Sequence, residues 1–180
     1  GTSIGHKEVA PGQATDASHG WFDVNQQISW SRGEPNNCFG RLQDVLDAIK
    51  IAFEKDGDTG ECVGVFWAQG EADASNERLA NNYEDSARKL KAAIREEIKS
   101  RGLTTLDVDK IPFIHPKIKE VAAWTYASTV NAAIQTLADE DPYSRPLDVS
   151  DLVLHDGQHY DGASMNTLGD RTYDAWKQIE

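Results

Sequence analysis

Two short segments hold the side chains best suited to chemistry. Asp156-Gly157-Gln158-His159 sets a carboxylate and an imidazole three residues apart. A carboxylate bonded to one ring nitrogen fixes the tautomer, and it stabilises the cation that forms when the other nitrogen takes a proton. Gln69-Gly70-Glu71-Ala72-Asp73 follows directly on the apolar run 63–68. A side-chain amide at a strand end, here Gln69, can donate a hydrogen bond to a developing oxyanion. Each feature also has a plainer reading. Asp156 can cap a turn and leave His159 an ordinary loop histidine. Gln69 can bridge loops, and Glu71 and Asp73 can accept backbone N–H groups and hold the loop. His155 and His159 stand four apart, a spacing that zinc sites use on a helix. The Asp-Gly between them argues against a regular helix, and no metal or other cofactor is expected.

These segments need elements to carry them. Residues 62–68 form a continuous apolar run, too short for a helix and suited to a parallel strand buried on both faces, with Trp67 in the core. A second strand is expected over 111–115, stopped by Pro116, and a third over 147–154. Leu42, Val45, Leu46, Ile49 and Phe53 recur at helical spacing, and 56–60 breaks that helix. Tyr83, Ala87, Leu90, Ile94 and Ile98 mark a second helix, with Asn82 as its cap and Arg101-Gly102 at its end. A third helix is expected from about 118 to 137. A fourth, capped by Ser164, carries Met165, Leu168, Thr172, Trp176 and Ile179. Helices alternating with strands mean an α/β fold, a three-layer α/β/α sandwich around a parallel sheet. In such sheets function sits beyond the C-terminal strand ends, where both polar segments fall. Neither an internal repeat nor a second domain is visible, so 1–180 reads as a single domain.

Composition narrows the function classes. At 180 residues, 39% hydrophobic and 27% charged, the chain can bury a core and should fold. A net charge of −12 without a cationic stripe argues against nucleic acid as a partner. No apolar stretch approaches the ~20 residues of a membrane helix, and no membrane partner is expected. No secretion signal opens the sequence. Cys38 and Cys62 lack metal-ligand spacing; free thiols and one disulfide both stay open. The residues before 38 are rich in Gly, Ser, Asn, Asp and Gln and read as long loops around isolated Trp21 and Trp30.

Several of these residues occur in one order that resembles a known family. Gly1-Thr2-Ser3-Ile4, then Phe66-Trp67-Ala68-Gln69-Gly70-Glu71-Ala72-Asp73, then Tyr83 with Leu90 and Arg95, then Pro112-Phe113, then Asp156-Gly157-Gln158-His159 with Leu168-Gly169-Asp170-Arg171, resemble the sialate O-acetylesterase and acetylxylan esterase branch of the SGNH hydrolases. The resemblance spans nearly the whole chain. It implies an SGNH/flavodoxin-like sheet and a serine esterase that removes acetyl groups from sugars, so an acetylated carbohydrate is the implied partner. It assigns His159 and Asp156 to a Ser-His-Asp triad, and Gly1 and Gln69 to the oxyanion donors. It also implies a secreted or periplasmic setting.

The sequence departs from the family at its start. The Gly-Gln-Ser-Asn block that carries the family's nucleophile has no counterpart here; Gly12-Gln13 is followed by Ala14. Gly1 matches the second glycine of a later block, so the resemblance implies that the first two strands and the serine precede residue 1. Ser3, in Gly1-Thr2-Ser3-Ile4-Gly5, is a weaker nucleophile candidate, because a strand should lead into it. The family's strand order 2-1-3-4-5 puts the first strand mid-sheet. Without it the strand at 62–68 is an apolar edge that an N-terminal fragment or a second chain would complete. A different class stays open: a non-catalytic sugar-binding or structural domain of the same fold, with Trp21 and Trp30 stacking on sugar rings.

Overall fold

The structure, a computed structural model, describes residues 38–179. Gly1, Ser3, Ala14, Trp21 and Trp30 lie outside that range. Among the described residues six helices and three strands follow in the order α1 Cys38–Asp56, β1 Val65–Phe66, α2 Glu71–Ala74, α3 Glu77–Asn81, α4 Tyr83–Ser100, β2 Phe113–Pro116, α5 Ala127–Asp139, β3 Ser144–Leu147 and α6 Gly162–Lys177, with a 3-10 turn at Val108–Lys110 before β2. The strands form one parallel sheet in the order β1-β2-β3.

Side chains on β2 alternate between two cores, as a pleated strand requires. Phe113 joins Tyr83, Leu90, Ile94, Val130 and Ile134 on the side of α4 and α5. Ile114 joins Leu147, Val149, Leu152, Leu168 and Ala175 on the side of α6. The expected α/β/α layering is therefore present around a three-stranded sheet. The strand over 62–68 is not buried on both faces, as its apolar run suggested. It pairs with β2 alone among the described residues, through Val65 N–H to Pro112 O at 2.8 Å and Trp67 N–H to Ile114 O at 2.9 Å. Within this run Val63 is 50% and Phe66 44% exposed. Trp67 is half-buried against the α4–α5 core.

Helix α4 shows how local sequence sets an element. Its apolar residues at 83, 87, 90, 94 and 98 are all buried. Glu84 and Asp85 in the first turn and Lys99 in the last complement the helix dipole. Gly102, at φ +68°, closes the helix with a Schellman pair, Gly102 N–H to Lys99 O and Leu103 N–H to Ile98 O. The fold then ties α4 to the turn before β3. Lys91 Nζ and Arg95 Nη1 both reach Asp141 Oδ2, at 2.7 and 2.8 Å. Partial burial pushes the Asp141 carboxyl up. The Lys91 bond, the Tyr143 N–H, the Arg95 charge and the Ser144 hydroxyl outweigh it and hold it at about 2.

Other boundaries differ from the expectation for identifiable reasons. The third strand is Ser144–Leu147 rather than 147–154. Asp148 accepts from Ser150 N–H at 2.9 Å and turns the chain there. Val149 and Leu152 still reach the α6 core, but from a turn. Helix α5 begins at Ala127, not near 118, because Ile118 is fixed as loop by Asn131, which bonds both its N–H and its C=O. Asn82 makes no side-chain cap; Asn76 caps α3 instead. Asp161 caps α6, accepting from Ser164 N–H at 2.7 Å, while Ser164 Oγ accepts from Val153 N–H. In α1 only the first half packs: Phe39 and Leu46 are buried, whereas Val45 is 54% exposed. Cys38 and Cys62 are free thiols.

Candidate active site

The polar segment after β1 is built around a glycine. Gly70 has φ +146°, and a Cβ there would meet Val130 Cγ1 at 3.0 Å, Ile118 Cγ2 at 3.2 Å and the Tyr83 hydroxyl at 3.4 Å. Only glycine lets the chain turn this close beneath Tyr83. The turn leads into α2, where Ala74 N–H bonds Gly70 O at 2.8 Å.

That turn delivers Gln69 into a buried polar cluster. Gln69 Nε2 donates to Asp73 Oδ2 at 2.6 Å, one helical turn on. The Tyr83 hydroxyl lies 2.9 Å from Gln69 O, 3.1 Å from Gln69 Oε1 and 3.0 Å from His115 Nε2. His115 Nε2 is also 3.3 Å from Gln69 O. Asp73 and Tyr83 are fully buried and His115 nearly so. Burial first, then the charges of Asp73 and Glu71, raises the Tyr83 phenol, so it stays protonated. Burial lowers His115 to about 4 against the opposing Gln69 backbone bond, with nearby Lys91 adding to the fall. The imidazole is therefore neutral at ordinary pH.

The second segment is a compact loop beyond β3. Leu154 and Tyr160 form an antiparallel bridge, and His155 N–H bonds His159 O at 2.7 Å. Asp156 organises what lies between. Its Oδ1 accepts from the backbone N–H groups of Gln158 and His159 at 3.0 and 2.8 Å, and its Oδ2 meets His159 Nδ1 at 2.7 Å. Gly157 takes φ +85° at the turn. The His159 bond first, then the two backbone N–H groups, holds the Asp156 carboxyl well below the usual carboxylate range. Asp156 thus both makes the turn, the plainer reading, and orients the imidazole. The His159 side chain is 77% exposed. Among the described residues, no group of three His, Cys, Asp and Glu side chains is gathered as metal ligands would be.

Tyr160 feels groups that follow the other two strands. Burial first, then the Glu71 charge, pushes its phenol up to about 12, against a bond from the Lys119 backbone. Glu71 follows β1, Lys119 follows β2 and Tyr160 follows β3. Lys119 Nζ also donates to Ser150 O at 2.7 Å, joining the loops after β2 and β3. Both chemical segments thus follow strands of the one sheet. Gly1, the remaining oxyanion candidate, lies outside the described residues. In the sequence Tyr83 reads as a helix residue and as part of the family pattern, and His115 as the end of the strand over 111–115. Their link to Gln69 had no local signal.

The family model for carbohydrate esterase, sialic acid-specific acetylesterase, matches residues 24–178. No curated protein matches. Among solved structures, the X-ray structure of a protein from Arabidopsis thaliana is similar with a TM-score of 0.62 and 21% identity, covering 82% of this chain and 54% of that one. At that identity the likeness concerns the fold, and the chain spans about half the length of the solved protein. The family match extends over most of the sequence, so the chain belongs to this carbohydrate esterase family.

Proposed function

We propose that this carbohydrate esterase family member is a serine-type O-acetylesterase that removes acetyl groups from sugars, with Asp156 and His159 in its triad. The observation that carries the reading is the 2.7 Å contact between His159 Nδ1 and Asp156 Oδ2, in a loop that Asp156 itself shapes. That bond leaves Nε2 to act as the base. The nucleophile is a serine expected ahead of residue 1.

In this mechanism the serine oxygen attacks the acetyl carbonyl carbon while His159 Nε2 takes its proton. Asp156, ionised throughout, stabilises the imidazolium. The carbonyl oxygen becomes an oxyanion, bonded by Gln69 Nε2–H and by backbone N–H groups, that of Gly1 among them. Collapse breaks the bond to the sugar oxygen, which takes the proton from His159. An acetyl-enzyme remains. Water, deprotonated by His159, then attacks the acetyl carbon; the bond to the serine oxygen breaks, that oxygen takes the proton back from His159, and acetate leaves. An N-terminal fragment or second chain is the proposed source of the serine and of a further strand; among the described residues β1 stands at the edge of the sheet.

The test is hydrolysis of an acetylated sugar and of a chromogenic acetyl ester by the full-length protein, beside His159→Ala. The reading expects acetate release by the wild type alone. Sugar binding with equal inactivity of both proteins would favour a non-catalytic binding domain instead.

A further inference from the structure

We propose that Lys119 is a positioning residue that fixes the Asp156–His159 turn to the body of the protein, and so sets where the imidazole stands. The inference rests on the esterase reading for its catalytic meaning and on hydrogen-bond geometry for its structural content.

Asp156 cannot place the ring alone. Its bonds to the His159 N–H and Nδ1 lie within one turn. They fix the ring relative to the turn and leave the turn's own position undetermined. That position depends on the segments leading in and out. These are held to each other by Asp161 N–H to Val153 O at 3.1 Å, the Leu154–Tyr160 bridge and His155 N–H to His159 O at 2.7 Å. A lone two-stranded stem of this kind is marginal in water and needs attachment to something larger.

Two attachments are present. On the α6 side Ser164 Oγ accepts from Val153 N–H at 2.8 Å. On the other side Lys119 Nζ donates to Ser150 O at 2.7 Å and to Leu152 O. The Lys119 backbone also bonds the Tyr160 phenol. Lys119 thus holds the chain before the turn, at Ser150 and Leu152, and after it, at Tyr160. Bonds from a cation are roughly twice as strong as neutral ones, which suits a single side chain to this task.

Lys119 is itself anchored. Lys117 N–H bonds Leu147 O of β3 at 2.9 Å. Asn131 of α5 accepts from Ile118 N–H at 2.8 Å and donates to Ile118 O at 2.9 Å. A continuous path therefore runs from β3 and α5 through residues 117–119 to the stem of the turn. Lys119 acts on the reaction only through that stem.

The experiment compares Lys119→Met, Lys119→Gln and Lys119→Arg in the full-length protein. Methionine keeps an apolar stem without a donor. Glutamine keeps an N–H on a side chain one atom shorter. Arginine keeps the charge and the reach. Amide exchange followed by NMR reads the stem. The His155 and Asp161 amides should exchange about tenfold faster in the two neutral variants, with α4 amides unchanged and Lys119→Arg close to wild type. Unchanged exchange at 155 and 161, or equal acceleration in α4, would overturn the proposal. Either neutral variant decides if the other does not fold. Failure of both to fold would make Lys119 a folding residue and overturn the positioning role. In hydrolysis of a chromogenic acetyl ester, Lys119→Met should lower kcat about 10–100-fold with KM nearly constant. It should lower kcat no further on a His159→Ala background, and Lys119→Arg should retain most of the rate. The same loss with and without the imidazole would mean general damage and overturn the proposal. A wild type that cleaves no acetyl ester removes the esterase reading, while the exchange rates still decide whether Lys119 fixes the turn.

Discussion

Asp156 holds His159 at two points, the backbone N–H at 2.8 Å and the ring Nδ1 at 2.7 Å. A side chain that fixes both the backbone and the imidazole of its partner sets the ring's direction before any ligand arrives. The residues divide the work between two carboxylate oxygens, which makes the roles separable.

Asp156→Asn tests that division. The amide oxygen can still accept the backbone N–H groups, so the turn survives. The NH2 would face Nδ1 and force the other tautomer, taking away the Nε2 base. A comparable change in a Ser-His-Asp triad costs ~10⁴ in kcat, and a loss of that order is expected in ester hydrolysis. Both side chains are substantially exposed, so thermal unfolding should move by less than about 0.5 kcal/mol in equivalent stability.

Gln69→Ala should cost ~10²–10³ in kcat with little change in KM, because the bond it removes strengthens only as the oxyanion forms. Steady-state kinetics on an acetyl ester separates the two parameters. A rise in KM at constant kcat would assign Gln69 to ground-state binding.

Stability should fall with acid in two stages. His115 is held at about 4 in the folded protein and sits near 6.5 when unfolded. Between those values the unfolded chain binds more protons, so stability falls as pH drops from 6.5 to 4, by up to about 3 kcal/mol. Asp141 is held at about 2, so its contribution is lost only as pH falls from about 4 towards 2. Urea unfolding at a series of pH values reads both stages. His115→Gln should lose the first and keep the second.

Asp141→Ala should be among the most destabilising changes in the described residues. It strips the shared partner from Lys91 and Arg95, whose side chains are 11% and 7% exposed. Breaking a buried ion pair from one side costs about 3–5 kcal/mol. Chemical denaturation against wild type measures it, and a change below about 1 kcal/mol would show that water reaches the cluster.

Local patterns explain which parts of this account were readable from the residues. Helix α4 was legible because its apolar spacing, basic last turn and Gly102 all point the same way. The Asp156–His159 pair was legible because the partners are three residues apart. β3 was not, because Ser144-Arg145-Pro146-Leu147 carries few apolar side chains, while the turn after it supplies Val149 and Leu152 to the core. A proline in its middle suits an edge strand and disguises it. The cluster around Gln69 was out of reach for a different reason. Tyr83 and His115 are 14 and 46 residues away from it in sequence, and only the parallel sheet and α4 bring them together.

Acetate release from an acetylated sugar, measured for the full-length protein with and without the imidazole of residue 159, tests the central claim most directly. The account predicts turnover by the wild type and at least a thousandfold loss in His159→Ala, with folding intact. Equal rates in the two proteins would contradict it.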